Sequence, residues 1–90
     1  MEKIKITIEY CTLCQWTPRA VWLQQELLYT FNNEIEEISL RPTNGGVFKI
    51  YVNEQQVWDR KEQGFPEPKK VKQTIRNLID PERSLGHTDK

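Results

Sequence analysis

Cysteine is nearly absent from this chain of 90 residues, with only Cys11 and Cys14 present. Two thiols so close together cannot form the disulfide framework that holds small secreted proteins together. Charge excess is absent too: 13 basic residues balance 13 acidic ones, which excludes the clustered basic footprint of a nucleic-acid binder. No apolar run approaches the length of a membrane span. The start, Met1-Glu2-Lys3-Ile4-Lys5, is too polar for a secretory leader. Soft metal ligands are scarce, since His87 is the only candidate beyond the two cysteines. What remains is one small domain with a limited core. It is expected in the cytoplasm, with no nucleic-acid or membrane partner and with its thiol pair reduced at rest.

Hydrophobic periodicity then gives the elements. Ile4, Ile6 and Ile8 alternate with Lys3, Lys5, Thr7 and Glu9, which predicts a half-buried strand from about Lys3 to Glu9. A helical stripe follows the cysteines, with Ala20, Leu23, Leu27 and Phe31 on one side and Val21, Trp22 and Leu28 widening it. Thr17-Pro18 is either a cap with the first helical position or a kink in a helix that starts earlier. A second strand is predicted over Ile35 to Arg41, with Ile38 and Leu40 inward, ended by Pro42 and the turn Asn44-Gly45-Gly46. Val47 to Val52 and Gln55 to Asp59 form a hairpin across Asn53-Glu54. Arg60 to Phe65 reads as a polar loop. The last helix begins near Pro66-Glu67-Pro68, buries Val71, Ile75, Leu78 and Ile79, and stops at Asp80-Pro81. The domain is therefore expected to span 1–81, with 82–90 a disordered tail.

The order β-α-β-β-β-α implies a parallel first pair joined by a right-handed crossover. Each strand has a single apolar face, so both helices are expected on one side of a mixed four-stranded sheet. This is a two-layer α/β domain with the core shared by thioredoxin-like proteins. Lys3, Lys5, Thr7, Glu37, Lys49 and Tyr51 fall on the other, wet face. Tracing strand directions brings Asn44-Gly45-Gly46 and the Trp58–Phe65 segment to the edge that carries the cysteines, where ligands of open α/β sheets commonly bind.

Cys11-Thr12-Leu13-Cys14, between a first strand and a first helix, is the pattern of a thiol–disulfide redox site. Helix N-termini favour the reactive thiolate. Cys11 and Cys14 are accordingly the candidate catalytic residues. Zinc is the competing use of such a pair, but a structural site wants four ligands. It would need His87 and more, or a dimer pairing two motifs. Trp16, Gly45, Gly46, Arg60 and Phe65 are the candidate partner surface: the glycines allow close backbone approach or simply make a turn, and the aromatics offer apolar contact. Arg19 is a candidate thiolate-stabilising cation, or an ordinary solvated helix charge. Trp22 and Trp58 read as packing residues.

Tyr10-Cys11-Thr12-Leu13-Cys14-Gln15-Trp16, Arg19-Ala20, Trp22-Leu23-Gln24-Gln25-Glu26-Leu27, Gly45-Gly46-Val47-Phe48, Val57-Trp58-Asp59-Arg60-Lys61, Gly64-Phe65-Pro66-Glu67 and Val71-Lys72-Gln73 together resemble the selenoprotein W and selenoprotein T-related, or Rdx, family. The resemblance runs in order over nearly all of 3–81. It implies a thioredoxin-like fold and a thiol or selenol redox role in cell redox homeostasis. In selenocysteine-bearing members selenium occupies the position of Cys14, whereas in thioredoxin the first cysteine, here Cys11, attacks. The two analogies disagree, and the sequence leaves the attacking sulfur open. The chain departs from the selenoproteins in having sulfur at both positions. It departs from thioredoxin in having Gly-Gly before the third strand, without an adjacent cis-proline candidate, and no inward acidic residue on the first strand. The expectation is a thiol–disulfide oxidoreductase acting on protein disulfides or glutathione as a monomer or weak homodimer. No metal or bound cofactor is expected, and glutathione is a candidate co-substrate. The alternative is a redox-sensing interaction module whose disulfide state controls partner binding.

Overall fold

The computed structural model describes residues 3–86. Its first strand, β1 (Ile4–Cys11), alternates as the isoleucines require and carries Tyr10 and Cys11 into the interior at its end. Helix α1 (Thr17–Phe31) buries Ala20, Leu23, Leu27 and Phe31 against the sheet. Pro18 lies in its first turn, where a missing N–H costs nothing, so it starts the helix and does not kink it. Trp16 occupies the cap position, one residue earlier than the Thr17 cap anticipated from sequence.

Strand β2 (Ile35–Thr43) runs parallel to β1, and β3 (Phe48–Val52) runs antiparallel on its other side. Strand β4 (Gln55–Asp59) completes the order β2-β1-β3-β4. Two bulges adjust the faces. Ile4 pairs with Ile35 but Lys5 pairs with Glu37, so Glu36 is an extra residue. Ile35 and Ile38, three apart, thereby both reach the core. The same device at Val57 lets the adjacent Val57 and Trp58 both pack inward. Asn53 and Glu54 both adopt positive φ, at 48° and 70°, the geometry of the tight hairpin turn.

The structure departs from the sequence reading in four places. Strand β2 continues through Pro42 to Thr43, which an edge strand tolerates because its outer side has no ladder to interrupt. Residues after β4 form a short helix, α2 (Arg60–Gln63), and not a loop. Asp59 caps it by accepting from the Lys61 N–H at 3.0 Å, while the Gln63 side chain accepts from the Asp59 N–H at 2.9 Å. Leu78, expected inside, is exposed on α3 (Pro68–Ile79), which buries Val71 and Ile75. Finally, part of the segment expected to fray is anchored. The Arg83 guanidinium pairs with Glu34 at 3.0 Å and donates to the Thr30 carbonyl at 2.9 Å, and Leu85 packs on the core. Residues 87–90, including His87, lie outside the described residues.

Both long helices cover the isoleucine face. The opposite face is polar, with Lys5 beside Glu36 at 3.7 Å and the Tyr51 hydroxyl donating to Glu9 at 2.9 Å. No helix is long and apolar enough to cross a membrane.

Candidate redox site

At the end of β1 the chain leaves the sheet through a tight turn that holds the Cys-x-x-Cys motif. Thr12 ties the turn to the end of β2, its N–H and hydroxyl both donating to the Thr43 carbonyl, at 2.9 and 3.1 Å. Gln15 takes a left-handed conformation, φ 61°, and donates its N–H back to the Thr12 carbonyl. This curls Cys14 over Cys11. The Cα atoms lie 5.4 Å apart and the two sulfurs form a disulfide. The Cys14 N–H donates to the Cys11 sulfur at 3.3 Å. Helix α1 begins only at Thr17, so both cysteines precede its first turn and do not stand within it.

The two sulfurs have different surroundings. Cys11, the last residue of β1, is 1 % exposed, whereas Cys14 faces solvent. Leu13, between them, is 82 % exposed. Sequence reasoning assigned Leu13 no part, although an apolar residue in the middle of an otherwise polar turn was visible.

Three further segments close around the turn. From the cap position before α1 comes Trp16, whose ring meets Phe65 edge-on at 5.0 Å and Phe48 at 6.2 Å. From the turn before β3 comes Gly46, and from α2 comes Arg60, which binds the Gly46 carbonyl through Nη2 at 2.9 Å and Nε at 3.2 Å. The Arg60 guanidinium also lies 5.0 Å from the Trp16 ring and 5.5 Å from that of Phe65. Arg60 thus joins the glycine turn to the aromatic pair. Phe65 is set by the Trp58 indole, which is buried and donates to the Gly64 carbonyl at 2.9 Å. Arg19 places its guanidinium 4.1 Å from the centre of the Phe65 ring. Trp22, read as a packing residue, is instead 53 % exposed and borders a narrow groove with Arg19, Phe65 and Pro66. Tyr10 is buried among core side chains.

Gly45 and Gly46 both have positive φ, at 77° and 72°, which alone accounts for two glycines in the turn. A side chain at Gly45 would meet open space, so the surface there is uncrowded. Among the described residues, no group of three or more His, Cys, Asp or Glu side chains is placed to share a metal ion.

The sequence and the overall fold match known proteins. The family model described as the Rdx family matches residues 5–77. The crystal structure of a selenoprotein W-related protein from Vibrio cholerae superposes with a TM-score of 0.84 at 52 % identity, covering 88 % of this chain and all of the other. A crystal structure from Bordetella parapertussis superposes with a TM-score of 0.83 at 47 % identity, covering 87 % of this chain and all of that one. No protein of curated function is measurably similar to the chain.

Proposed function

The chain belongs to the Rdx family, and from that premise, which with the Cys11–Cys14 pair supports a redox role, we propose that it is a thiol–disulfide oxidoreductase in which Cys14 attacks and Cys11 resolves. One observation carries the assignment of roles: Cys14 is open to solvent while Cys11 is buried beneath it. An incoming disulfide reaches the exposed sulfur first, since exchange requires the attacking thiolate to line up with the bond it breaks.

In the reduced protein the Cys14 thiolate attacks one sulfur of a substrate disulfide. That S–S bond breaks, the other substrate sulfur leaves as a thiolate and takes a proton from solvent, and Cys14 is held in a mixed disulfide. Cys11, deprotonated, then attacks the Cys14 sulfur. The second substrate thiolate leaves, and the Cys11–Cys14 disulfide remains, two electrons having passed to the substrate. A dithiol, or two molecules of a monothiol such as glutathione, returns the two electrons and completes the cycle.

Cys14→Ser should abolish turnover of a model disulfide. Cys11→Ser should retain the first step and accumulate a mixed disulfide, visible as added mass in the intact protein. Accumulation in Cys14→Ser and not in Cys11→Ser would reverse the roles, and undiminished turnover in both variants would end the reading. Equilibration of the wild type across thiol–disulfide buffers should show two thiols lost together within one chain, at a potential between about −200 and −270 mV.

A further inference from the structure

Beside the redox turn Leu13, Trp22 and Phe65 are all exposed, and Trp22 and Phe65 wall a groove floored by Leu23 and Phe48. Exposed apolar residues occur singly on most proteins, and here Leu28, Tyr29 and Leu78 are exposed elsewhere. Among the described residues, what marks this patch is an unpaired guanidinium, Arg19, lining the apolar groove itself; Arg41, likewise on a ring without a carboxylate, lies on the polar face over Tyr51. Lys5, Lys72 and Arg83 each have a carboxylate partner, in Glu36, Glu26 and Glu34. Arg19 and Arg60 stand on the rings of Phe65 and Trp16, and among the described residues neither is paired with a carboxylate. Asp59, next to Arg60 in sequence, is turned to the Lys61 N–H. A ring face holds the Arg19 guanidinium in place without neutralising it and leaves its edges free to take a carboxylate, whereas Arg60 spends its Nε–Nη2 edge on the Gly46 carbonyl.

We infer that this surface selects its substrate: an extended segment of a partner protein whose disulfide cysteine is flanked by an apolar residue and by Asp or Glu. The inference rests on the redox reading above and names the substrate of that site. The apolar residue lies in the groove between Trp22 and Phe65, and the carboxylate meets Arg19 at the rim. Disulfides flanked by lysine are disfavoured by like-charge repulsion. Two guanidiniums on a chain of zero net charge suit a single carboxylate and fall short of a polyanion's footprint.

The test uses Cys11→Ser protein, with Cys14 as its only thiol, and Cys11→Ala as a second variant that refills the buried position with an apolar group. Short peptides carry one cysteine activated as a disulfide with thionitrobenzoate, a leucine, and Glu, Gln or Lys beside it. Cys14 attacks the peptide sulfur, the bond to thionitrobenzoate breaks, and the released coloured anion gives the rate. Each rate is divided by that protein's own rate with uncharged dithiodipyridine, which cancels changes in thiolate reactivity. The Glu peptide should react about tenfold faster than the Lys peptide at low salt, with the preference shrinking as salt is added and inverting in Arg19→Glu. A Glu/Lys ratio within about twofold of unity, or one unchanged by Arg19→Glu, overturns the inference. Failure of the redox reading appears elsewhere, as wild-type protein that turns over no peptide disulfide with a dithiol reductant, because the single-thiol rates still report the surface.

Discussion

Burial separates side chains that the sequence presents as equivalent. Cys11 and Cys14 are both sulfur in one motif, and only the curl of the turn makes one inaccessible and the other open. Periodicity predicts where a strand ends but not how the next four residues coil, so the roles of the two cysteines were illegible. Arg60 is a similar case. Its place on the surface was expected from strand directions, yet its carbonyl partner and two rings depend on α2, which the sequence reading missed. Arg60→Met should cost about 1–2 kcal/mol in denaturant titrations, since it leaves the Gly46 carbonyl without its charged donor. Tyr51, on the polar face, gives a prediction in pH. Its phenol is raised above the ordinary tyrosine value, first by burial and then by its hydrogen bond to Glu9. The folded state therefore holds this proton more tightly than the unfolded state. The stability it contributes is complete below about pH 10 and is lost as pH climbs through the raised value. Tyr51→Phe should flatten that alkaline loss relative to wild type in unfolding midpoints measured from pH 8 to 11.

The elements that carry strict alternation or a clean helical stripe were the legible ones. Strand β1, helix α1 and the β3–β4 hairpin all follow from side-chain spacing. Bulges were not legible, because they are set by partners distant in sequence. Glu36 becomes an extra residue only once β1 lies beside it. The α2 turn did leave a sign, a capping Asp59 with Gln63 four positions on, which reads as a loop when no apolar stripe accompanies it. At the glycine turn the prediction is specific. With open space at Gly45 and only the Arg60 side chain at ordinary contact from Gly46, substitution meets conformational cost and no clash. Gly45→Ala or Gly46→Ala should each lose about 1 kcal/mol, and asparagine should lose less, because it tolerates left-handed backbone. Thermal unfolding of the four variants checks this ranking.

Over the whole molecule, chain order alone established the topology. A parallel first pair and a returning hairpin place the redox turn, the glycine turn and the α2 segment at one end, and the Thr12–Thr43 and Arg60–Gly46 contacts join them there. The closing segment was the part that length and polarity concealed. Arg83 reaches from just beyond α3 to Glu34 and Thr30, and its carbonyl accepts from Arg76 in the last turn of α3, so the C-terminal end of that helix is fastened to the first crossover. Truncation after Pro81 leaves the Glu34 carboxylate, mostly buried, without its cation, and should cost about 1–3 kcal/mol. Glu34→Gln in the truncated chain should recover part of that loss. Equal stability of full-length and truncated protein in urea would show that the clasp contributes nothing.

The depth of Cys11 also makes it a recorder of motion. With Cys14 replaced by serine, its sulfur can meet an alkylating reagent only when the turn above it uncurls, when the end of β1 parts from β2, or when the entire domain opens. The labelling rate then measures how often that corner breathes. A rate that follows global unfolding across denaturant would mark the redox corner as among the last regions to yield. A faster, denaturant-insensitive rate would mark it as a hinge that swings while the rest of the sheet stays closed.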